Sequence, residues 1–171
     1  MRVKELMTKD VSFCNPGTNA ASAAEIMWAR DCGVLPVVDE SGPIVGVVTD
    51  RDLFIALGTR NRSASELPLG EIMQRELSVC APDDDVRSAL KTMAQQQVHR
   101  LLVVDKSGAL KGILSMNDVI LQAKPETDGV LRDEVIQTLK ALCEHREPLQ
   151  SKQAGAQAHQ ETHAWRDPNE N

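Results

Sequence analysis

This chain contains the same pattern twice. A shift of 66 positions places residues 5–55 on residues 71–121 without a gap, and 16 of the 51 pairs are identical, where composition alone would give roughly three. The identical pairs include Met7/Met73, Cys14/Cys80, Gly46/Gly112 and Asp52/Asp118. We expect the two copies to pack face to face about a pseudo-two-fold axis, which creates clefts where small molecules bind.

Composition limits the partners that such a chain is expected to bind. Apolar residues make up 42% of the chain but aromatic residues only 2%, so an aliphatic core is predicted. The net charge is −6 and no basic block is present, which argues against nucleic-acid and membrane-surface binding. No apolar run reaches the roughly 18 residues of a membrane span. Residues 1–15 lack a signal-peptide core, so a cytoplasmic protein is expected.

The thiols and imidazoles do not form a recognisable metal motif. No C-x-x-C pair exists among the four cysteines, which are Cys14, Cys32, Cys80 and Cys143. Cys14 and Cys80 occupy equivalent places and are interpreted as small buried apolar residues, with a redox or metal role as the alternative. His159 and His163 are four residues apart but lack a third ligand, so no metal site is predicted.

Each copy is predicted to fold as β-α-β-β-α. Short strands at 11–13 and 77–79 precede the first helix. Nearly apolar strands at 34–39 and 100–105 follow it, and their composition predicts that they are covered on both faces. Turns at Ser41-Gly42 and Ser107-Gly108 lead to strands at 44–49 and 110–115, and a second helix then begins at once.

Apolar residues recur at helical spacing in the first predicted helix of each copy. In the second copy they are Val86, Ala89, Leu90 and Met93, after three aspartates that favour a helix start. In the first copy they are Ala20, Ala23, Ala24 and Met27, with Thr18 as the predicted N-cap. The second helices begin with Asp52, Leu53, Ile55 and Ala56, and with Asp118, Val119 and Leu121.

The repeat divides the chain into segments. We predict repeat one at 1–60, a linker at 61–70, repeat two at 71–123, and a C-terminal helical segment at 124–146, with its helix at about 130–145. The polar segment 147–171 is predicted to be disordered.

The most informative short motif, G-h-h-[ST]-x-x-D, stands where a strand runs into a helix. It reads Gly-Val-Val-Thr-Asp-Arg-Asp at 46–52 and Gly-Ile-Leu-Ser-Met-Asn-Asp at 112–118. A hydroxyl and free N–H groups at a helix start suit a phosphate, and a carboxylate one turn later suits a ribose diol. The alternative is a capping box, which needs no ligand.

The two copies differ before their apolar strands. His99 and Arg100 precede the strand of repeat two, where repeat one has Gly33 and Val34. Arginine pairs bidentately with phosphate and histidine adds a donor, which favours an anion site. A solvated strand start is the alternative interpretation. The two clefts are in either case chemically unequal.

These residues resemble the cystathionine-β-synthase (CBS) domain pair, also called the Bateman module, over about residues 1–123. The resemblance rests on the tandem unit, the two apolar strands ending in Val-Val-Asp, and the two junction motifs. It implies an α+β fold of two CBS motifs related by a pseudo-two-fold axis, with an extra C-terminal helix. It also implies a dimeric regulatory module that binds AMP, ADP, ATP, S-adenosylmethionine or NAD.

The resemblance assigns residues to two clefts, in which the hydroxyl and the acid hold phosphate and ribose and apolar strand residues such as Val47 and Ile113 hold adenine. One cleft would use Thr49, Arg51 and Asp52 with Val79, His99 and Arg100. The other would use Ser115, Asn117 and Asp118 with Phe13, Val34 and Pro36. The first is predicted to be the tighter, phosphate-bearing site, because the second lacks a basic residue where Arg51 stands.

Three classes of function fit a chain of this kind: a ligand sensor, an interaction scaffold and an enzyme. A homodimeric nucleotide sensor that modulates an unknown protein target is preferred. A ligand-free scaffold that acts through the C-terminal helix is the alternative. An enzyme is not expected, because no Ser/His/Asp, Cys/His, P-loop or metal constellation is found.

Overall fold

The computed structural model describes residues 1–122 and 129–144. In the first copy a short helix α1 (Val3–Leu6) precedes α2 (Ala20–Ala29), the hairpin β1 (Val34–Val38) and β2 (Ile44–Thr49), and α3 (Asp50–Arg60). Two 3-10 turns, Ala64–Glu66 and Leu69–Glu71, lead to the second copy. Its elements are β3 (Val79–Cys80), α4 (Val86–Gln96), β4 (Arg100–Val104), β5 (Leu110–Ser115) and α5 (Met116–Gln122), followed by α6 (Gly129–Cys143).

The strands form two small sheets with the same internal register. β1 and β2 pair antiparallel, and β4 and β5 do so in the equivalent way, with β3 added parallel to β4. Each hairpin has an irregularity at the same place, between Val37 and Val38 and between Val103 and Val104. The three central residues of β1 and of β4 are buried, which confirms the prediction that these strands are covered on both faces.

The segment that leads into each repeat, residues 1–8 and 67–74, crosses to the other repeat. Thr8 forms a bridge with Ile113, and Gln74 forms the equivalent bridge with Val47. The Met7 side chain lies over Gly112, and the Met73 side chain lies over Gly46. Because each contact has a counterpart 66 residues away with the partners exchanged, the two copies are related by the predicted pseudo-two-fold axis.

The crossing segments also complete two separate apolar cores. Leu67, Leu69 and Ile72 are buried among the residues of repeat one, although they lie at the end of the linker and at the start of repeat two. Val3 is fully buried in the core of repeat two, although it begins the chain. Each core therefore combines one repeat with the segment that precedes the other.

The α6 helix lies on α4 and extends the second core. Leu131 and Val135 are buried in this core, and the Arg87 guanidinium is 3.2 Å from a carboxylate oxygen of Glu134. The predicted helix at about 130–145 is thus confirmed, with bounds that differ by one or two residues. The predicted disorder of 147–171 and the His159/His163 pair lie outside the described residues.

Several local predictions were right. The strands at 44–49 and 110–115 have the predicted bounds, and the strands at 34–39 and 100–105 are each one residue shorter. The buried residues of α4 are those that the helical spacing indicated: Val86, Ala89, Leu90 and Met93. Cys14 and Cys80 are buried free thiols, as interpreted from their positions.

Other local predictions were wrong. The strand at 11–13 is absent, because repeat one forms only a single bridge there, from Cys14 to Val37. The strand at 77–79 is instead Val79–Cys80. The N-cap of α2 is Asn19, whose side chain accepts the Ser22 N–H, while the Thr18 N–H donates to Asn15.

One residue that was expected on the apolar face of a first helix is exposed. Ala24 points outward because Ile26, rather than Ala24, packs against the first core. Ile55 and Leu121 are exposed at equivalent places on α3 and α5, where no neighbouring element of the described chain covers them. No helix within the described residues is long and apolar enough to cross a membrane.

Candidate functional site

Both junction motifs fold as capped helix starts. The Asp52 Oδ2 atom accepts hydrogen bonds from the Thr49 N–H at 2.8 Å and from the Thr49 hydroxyl at 2.6 Å. The Asp52 N–H donates back to the Thr49 hydroxyl oxygen at 3.2 Å. Ser115 and Asp118 repeat this arrangement with the same three distances. The capping-box interpretation of the motif is therefore confirmed, and any ligand must use what the caps leave available.

The second carboxylate oxygen distinguishes the two junctions. At the first junction Asp52 Oδ1 accepts a hydrogen bond from the Gln74 side chain at 2.8 Å. Gln74 belongs to the segment that crosses from repeat two, and its counterpart is Thr8. Within the described residues no hydrogen bond reaches Asp118 Oδ1. A carboxylate accepts about four hydrogen bonds, so Asp118 has the more open acceptor.

The free backbone N–H groups that we predicted for the first junction are not free. The Asp50 N–H donates to the Gly33 carbonyl at 3.3 Å, and the Arg51 N–H donates to the Asp50 side chain at 2.7 Å. The Asp52 N–H is occupied by Thr49. All three donors of the first turn of α3 thus have intramolecular acceptors.

The second junction keeps one such donor. The Met116 N–H donates to the His99 carbonyl at 2.9 Å, and the Asp118 N–H is occupied by Ser115. The Asn117 N–H has no acceptor in the part of the chain that the structure describes. The expectation of an available backbone donor therefore fits the second junction better than the first.

The strand register places two candidate residues, Val34 and Arg100, beside other partners than the sequence suggested. Val34 lies opposite Thr49 on the β1–β2 hairpin, and Arg100 lies opposite Ser115 on the β4–β5 hairpin. Directly opposite residues of an antiparallel pair share one face of the sheet. The sequence interpretation had placed Val34 with the second cleft and Arg100 with the first. The register brings each of them beside the junction of its own repeat, while their assignment to a ligand stays a prediction.

The exposed basic candidates have no ion-pair partner within the described residues. Arg51 lies on the first turn of α3, and His99 and Arg100 stand at the start of β4. All three side chains are exposed. They are accessible to an anion, although no contact in the structure joins Arg100 to Thr49.

The apolar candidates fall into two groups. Phe13 and Val79 are equivalent residues 66 positions apart, and both are exposed, Phe13 by 59% and Val79 by 40%. The other apolar candidates are less exposed: Pro36 and Ile113 are buried, and Val34 and Val47 are half-buried. Phe13 and Val79 thus offer more side-chain surface to a base than the strand residues do.

The described structure contains a small cavity at the first junction and a larger one elsewhere. One of about 140 Å³ adjoins Asp52 and is lined by Ile55, Ala56, Thr59, Arg60 and Ile72. This volume is below the roughly 300 Å³ of typical ligand pockets. A larger one of about 360 Å³ lies between α4 and α6, away from both junctions. The hydrogen-bonding chemistry favours the junctions over this larger, mostly apolar groove.

Burial raises the pKa of both equivalent thiols. Desolvation is the main cause at Cys80, with the Asp84 carboxylate adding to it, and the pKa rises to about 11. Desolvation also raises the pKa of Cys14, against a hydrogen bond with Thr18 that lowers it. Reactive thiolates are therefore not expected at these positions. No group of three or more His, Cys, Asp or Glu within the described ranges is placed to hold a metal ion.

Two residues of the first junction were missed by the sequence interpretation. Asp50 occupies an unspecified position of the motif, and Gln74 stands 22 residues from the aspartate that it contacts. The repeat itself offers a signal for both, because their counterparts Met116 and Thr8 differ in chemistry.

Comparison with known proteins agrees with this architecture. The sequence profile of the CBS domain family matches residues 3–59 and 69–123. The CBS domain-containing protein YhcV of Bacillus subtilis is 34% identical over 128 residues, which cover 74% of this chain and 89% of YhcV.

Solved structures show the same fold. The CBS domain pair of protein MJ0100, in complex with 5′-methylthioadenosine and S-adenosyl-L-methionine, matches with a TM-score of 0.65 and 26% identity, covering 71% of this chain and 94% of that one. The CBS domain protein PAE2072 of Pyrobaculum aerophilum, complexed with AMP, matches with a TM-score of 0.66 and 20% identity, covering 80% and 98%. This chain therefore belongs to the CBS domain family and folds as a CBS domain pair, a regulatory rather than a catalytic fold.

Proposed function

We propose that this chain is a regulatory module that binds an adenosine-containing ligand at its two strand-to-helix junctions and thereby modulates a protein partner. AMP, ADP, ATP, S-adenosylmethionine and NAD are the candidate ligands. The observation that carries the proposal is the aspartate that occurs at both junctions. Its Oδ2 atom is held in the helix cap, and its Oδ1 atom takes no part in the cap and can accept further hydrogen bonds. The adenosyl compounds in the MJ0100 domain pair support the same class of ligand.

The junctions supply the parts that an adenosine compound requires. Asp52 and Asp118 provide acceptors for a ribose diol. Phe13 and Val79 provide exposed apolar surface for a base at equivalent positions of the two repeats. Arg100, opposite Ser115, provides a cation that a phosphate or carboxylate of the ligand would pair with.

Calorimetric titration with AMP, ATP and S-adenosylmethionine tests ligand binding. A hydrogen bond to a charged group contributes about 1.5–3 kcal/mol, so replacing one junction aspartate should weaken its site by roughly 10–150-fold. Asp118→Asn keeps an oxygen for the Ser115 cap while it removes the charge, and Glu40→Gln, in the turn at the far end of the β1–β2 hairpin, is the matched control. Absence of heat with all three ligands up to millimolar concentration would reject the sensing function.

The proposal includes a homodimer. α3 and α5 each expose an apolar pair at equivalent places, Phe54 with Ile55 and Ile120 with Leu121. Phe54 is exposed by 78% and Leu121 by 81%, and such apolar patches in soluble proteins mark interfaces. In sedimentation analysis Phe54→Asp with Leu121→Asp should therefore give a monomer. Glu25→Lys, a charge change at an exposed polar site on α2, should leave the dimer intact.

The scaffold alternative draws less support from the structure. Its partner-binding surface was the C-terminal helix, but Leu131, Val135 and Thr138 of α6 are already buried against α4. Among the α6 side chains whose burial is described, Ile136 is a large apolar one that remains exposed. A cytoplasmic location accords with this function and stays a prediction.

A further inference from the structure

The first junction carries an acidic side chain that the second junction lacks. Asp50 follows Thr49, whereas Met116, buried in the second core, follows Ser115. The change is paired with another at the preceding strand start. Gly33 stands in the place of His99, and a Cβ atom on Gly33 would lie 3.0 Å from Asp50 Oδ2. Because Gly33 has no side chain, the Asp50 carboxylate can lie against the start of the strand.

The Asp50 carboxylate closes the start of α3 to an anion. Its Oδ1 atom accepts the Arg51 N–H at 2.7 Å, which a ligand phosphate would otherwise use. The two other first-turn donors are bonded to Gly33 and Thr49. A phosphate at this point would meet no free N–H group and would lie beside an exposed carboxylate.

The surrounding charges strengthen this contrast. Asp50 and Asp52 together outweigh Arg51 at the first junction, which leaves a net negative charge there. At the second junction Arg100 lies opposite Ser115 and balances Asp118. The phosphate preference that the sequence suggested for the first cleft is thus opposed by its hydrogen bonding and its charge.

We propose that Asp50 is a specificity-determining residue, which makes the first junction select adenosine compounds whose 5′ substituent carries no negative charge. This inference rests on the proposed function, because it concerns the ligand of the same site. Uncharged nucleosides and thionucleosides, and sulfonium compounds, belong to the accepted class. Nucleoside mono-, di- and triphosphates belong to the rejected class.

Paired titrations with adenosine and AMP test the inference. The chain carries Asp118→Ala throughout, so that binding at the first junction is measured, and circular dichroism verifies the fold. Asp118→Asn replaces Asp118→Ala if the cap is needed for folding. Like charges a few ångströms apart cost on the order of 1 kcal/mol or more, so adenosine should bind about tenfold more tightly than AMP.

Asp50→Asn should remove this preference. The amide keeps an acceptor for the Arg51 N–H but loses the charge, so AMP affinity should rise about tenfold while adenosine affinity changes by less than about twofold. Asp50→Ala also frees the N–H group and should raise AMP affinity at least as much. Glu40→Gln removes the same charge far from the junction and should leave the ratio of the two dissociation constants unchanged.

The outcomes separate the two proposals. Equal affinities for adenosine and AMP before mutation, or a ratio that Asp50→Asn does not alter, would overturn the role of Asp50 and leave adenosine binding established. Absence of binding by both compounds in every variant, with the fold intact, would reject the proposed function itself.

Discussion

The contact between the repeats predicts that two equivalent glycines differ in their tolerance of a side chain. A Cβ atom on Gly112 would lie 2.6 Å from the Thr8 carbonyl oxygen, and 3.0 Å from the Met7 sulfur. A Cβ atom on Gly46 would lie 2.5 Å from the Met73 sulfur, but 3.1 Å from the nearest carbonyl oxygen. Neither glycine has a positive φ, so the difference is one of space alone.

The loss of stability depends on whether the atom that the new Cβ meets belongs to the backbone or to a flexible side chain. Thr8 exchanges two backbone hydrogen bonds of 2.9 Å with Ile113. Moving its carbonyl to a normal C···O contact of about 3.3 Å requires a shift of about 0.7 Å, which breaks their geometry. Two lost hydrogen bonds cost about 2 kcal/mol, and overpacking adds about 1 kcal/mol. Gly112→Ala should therefore destabilise by about 3 kcal/mol.

At Gly46 the closest obstacle is the flexible end of a side chain. Met73 changes rotamer at small cost, so Gly46→Ala should destabilise by about 1 kcal/mol. Urea unfolding followed by far-ultraviolet circular dichroism at one protein concentration measures both changes. Intrinsic fluorescence is unsuitable because Trp28 is 89% exposed in the native state.

Two double variants sharpen the test. Met73→Ala should relieve Gly46→Ala, whereas Met7→Ala should leave most of the cost of Gly112→Ala, because a backbone atom causes it. If Gly46→Ala proves as destabilising as Gly112→Ala, or if Met7→Ala rescues Gly112→Ala, the reasoning from the crossing segment is refuted.

Three further predictions concern single side chains. Hydrogen bonds from Ser107 and the Lys111 ammonium lower the pKa of Asp105 well below its usual range. Asp105→Asn should therefore lower stability at neutral pH; this difference should begin to shrink below about pH 4, where the unfolded carboxyl protonates, and disappear as the pH falls through the lower pKa of the folded state. Burial raises the pKa of the Cys80 thiol to about 11, so this thiol is almost entirely protonated at pH 8. A thiol reagent should therefore label exposed Cys143 first, and equal native rates would contradict this. Gln74→Thr, which introduces the counterpart residue Thr8 of repeat one, should tighten adenosine binding at the first junction a few-fold by freeing Asp52 Oδ1; an unchanged dissociation constant would count against that competition.

Local elements could be predicted because their signals are local. The bounds of β2 and β5 follow from mostly apolar runs that end at a hydroxyl residue, and the buried face of α4 follows from its spacing. The capped junctions follow from the motif. The prediction of a strand at 11–13 was wrong because so few residues at a sheet edge do not distinguish a strand from a single bridge.

The exchange of crossing segments could not be predicted from the repeat. Self-similarity shows that 67–74 corresponds to 1–8, but two units that keep their own segments would give the same alignment. The burial of Leu67 and Leu69 in the first core shows that the segments are exchanged. This burial depends on the path of the chain between the two units, which the sequence does not show. Ala24 was placed wrongly for a related reason, because spacing along a helix does not by itself show which face meets the core.

The candidate site shows where a duplicated sequence gives more information than a single motif. Each junction alone fits both a cap and a ligand site, and the structure shows that the cap uses one carboxylate oxygen and leaves the other for further contacts. The pairs that differ between copies then become the informative ones. Gly33 with Asp50 and His99 with Met116 change together, since a small residue on the strand gives room to an acid on the helix. A motif treats Asp50 as unspecified, yet its carboxylate decides whether the first turn of α3 has a donor to offer. The two clefts of one fold are therefore distinguished by residues that the family pattern leaves open, and the ligand preference of each has to be argued from those residues.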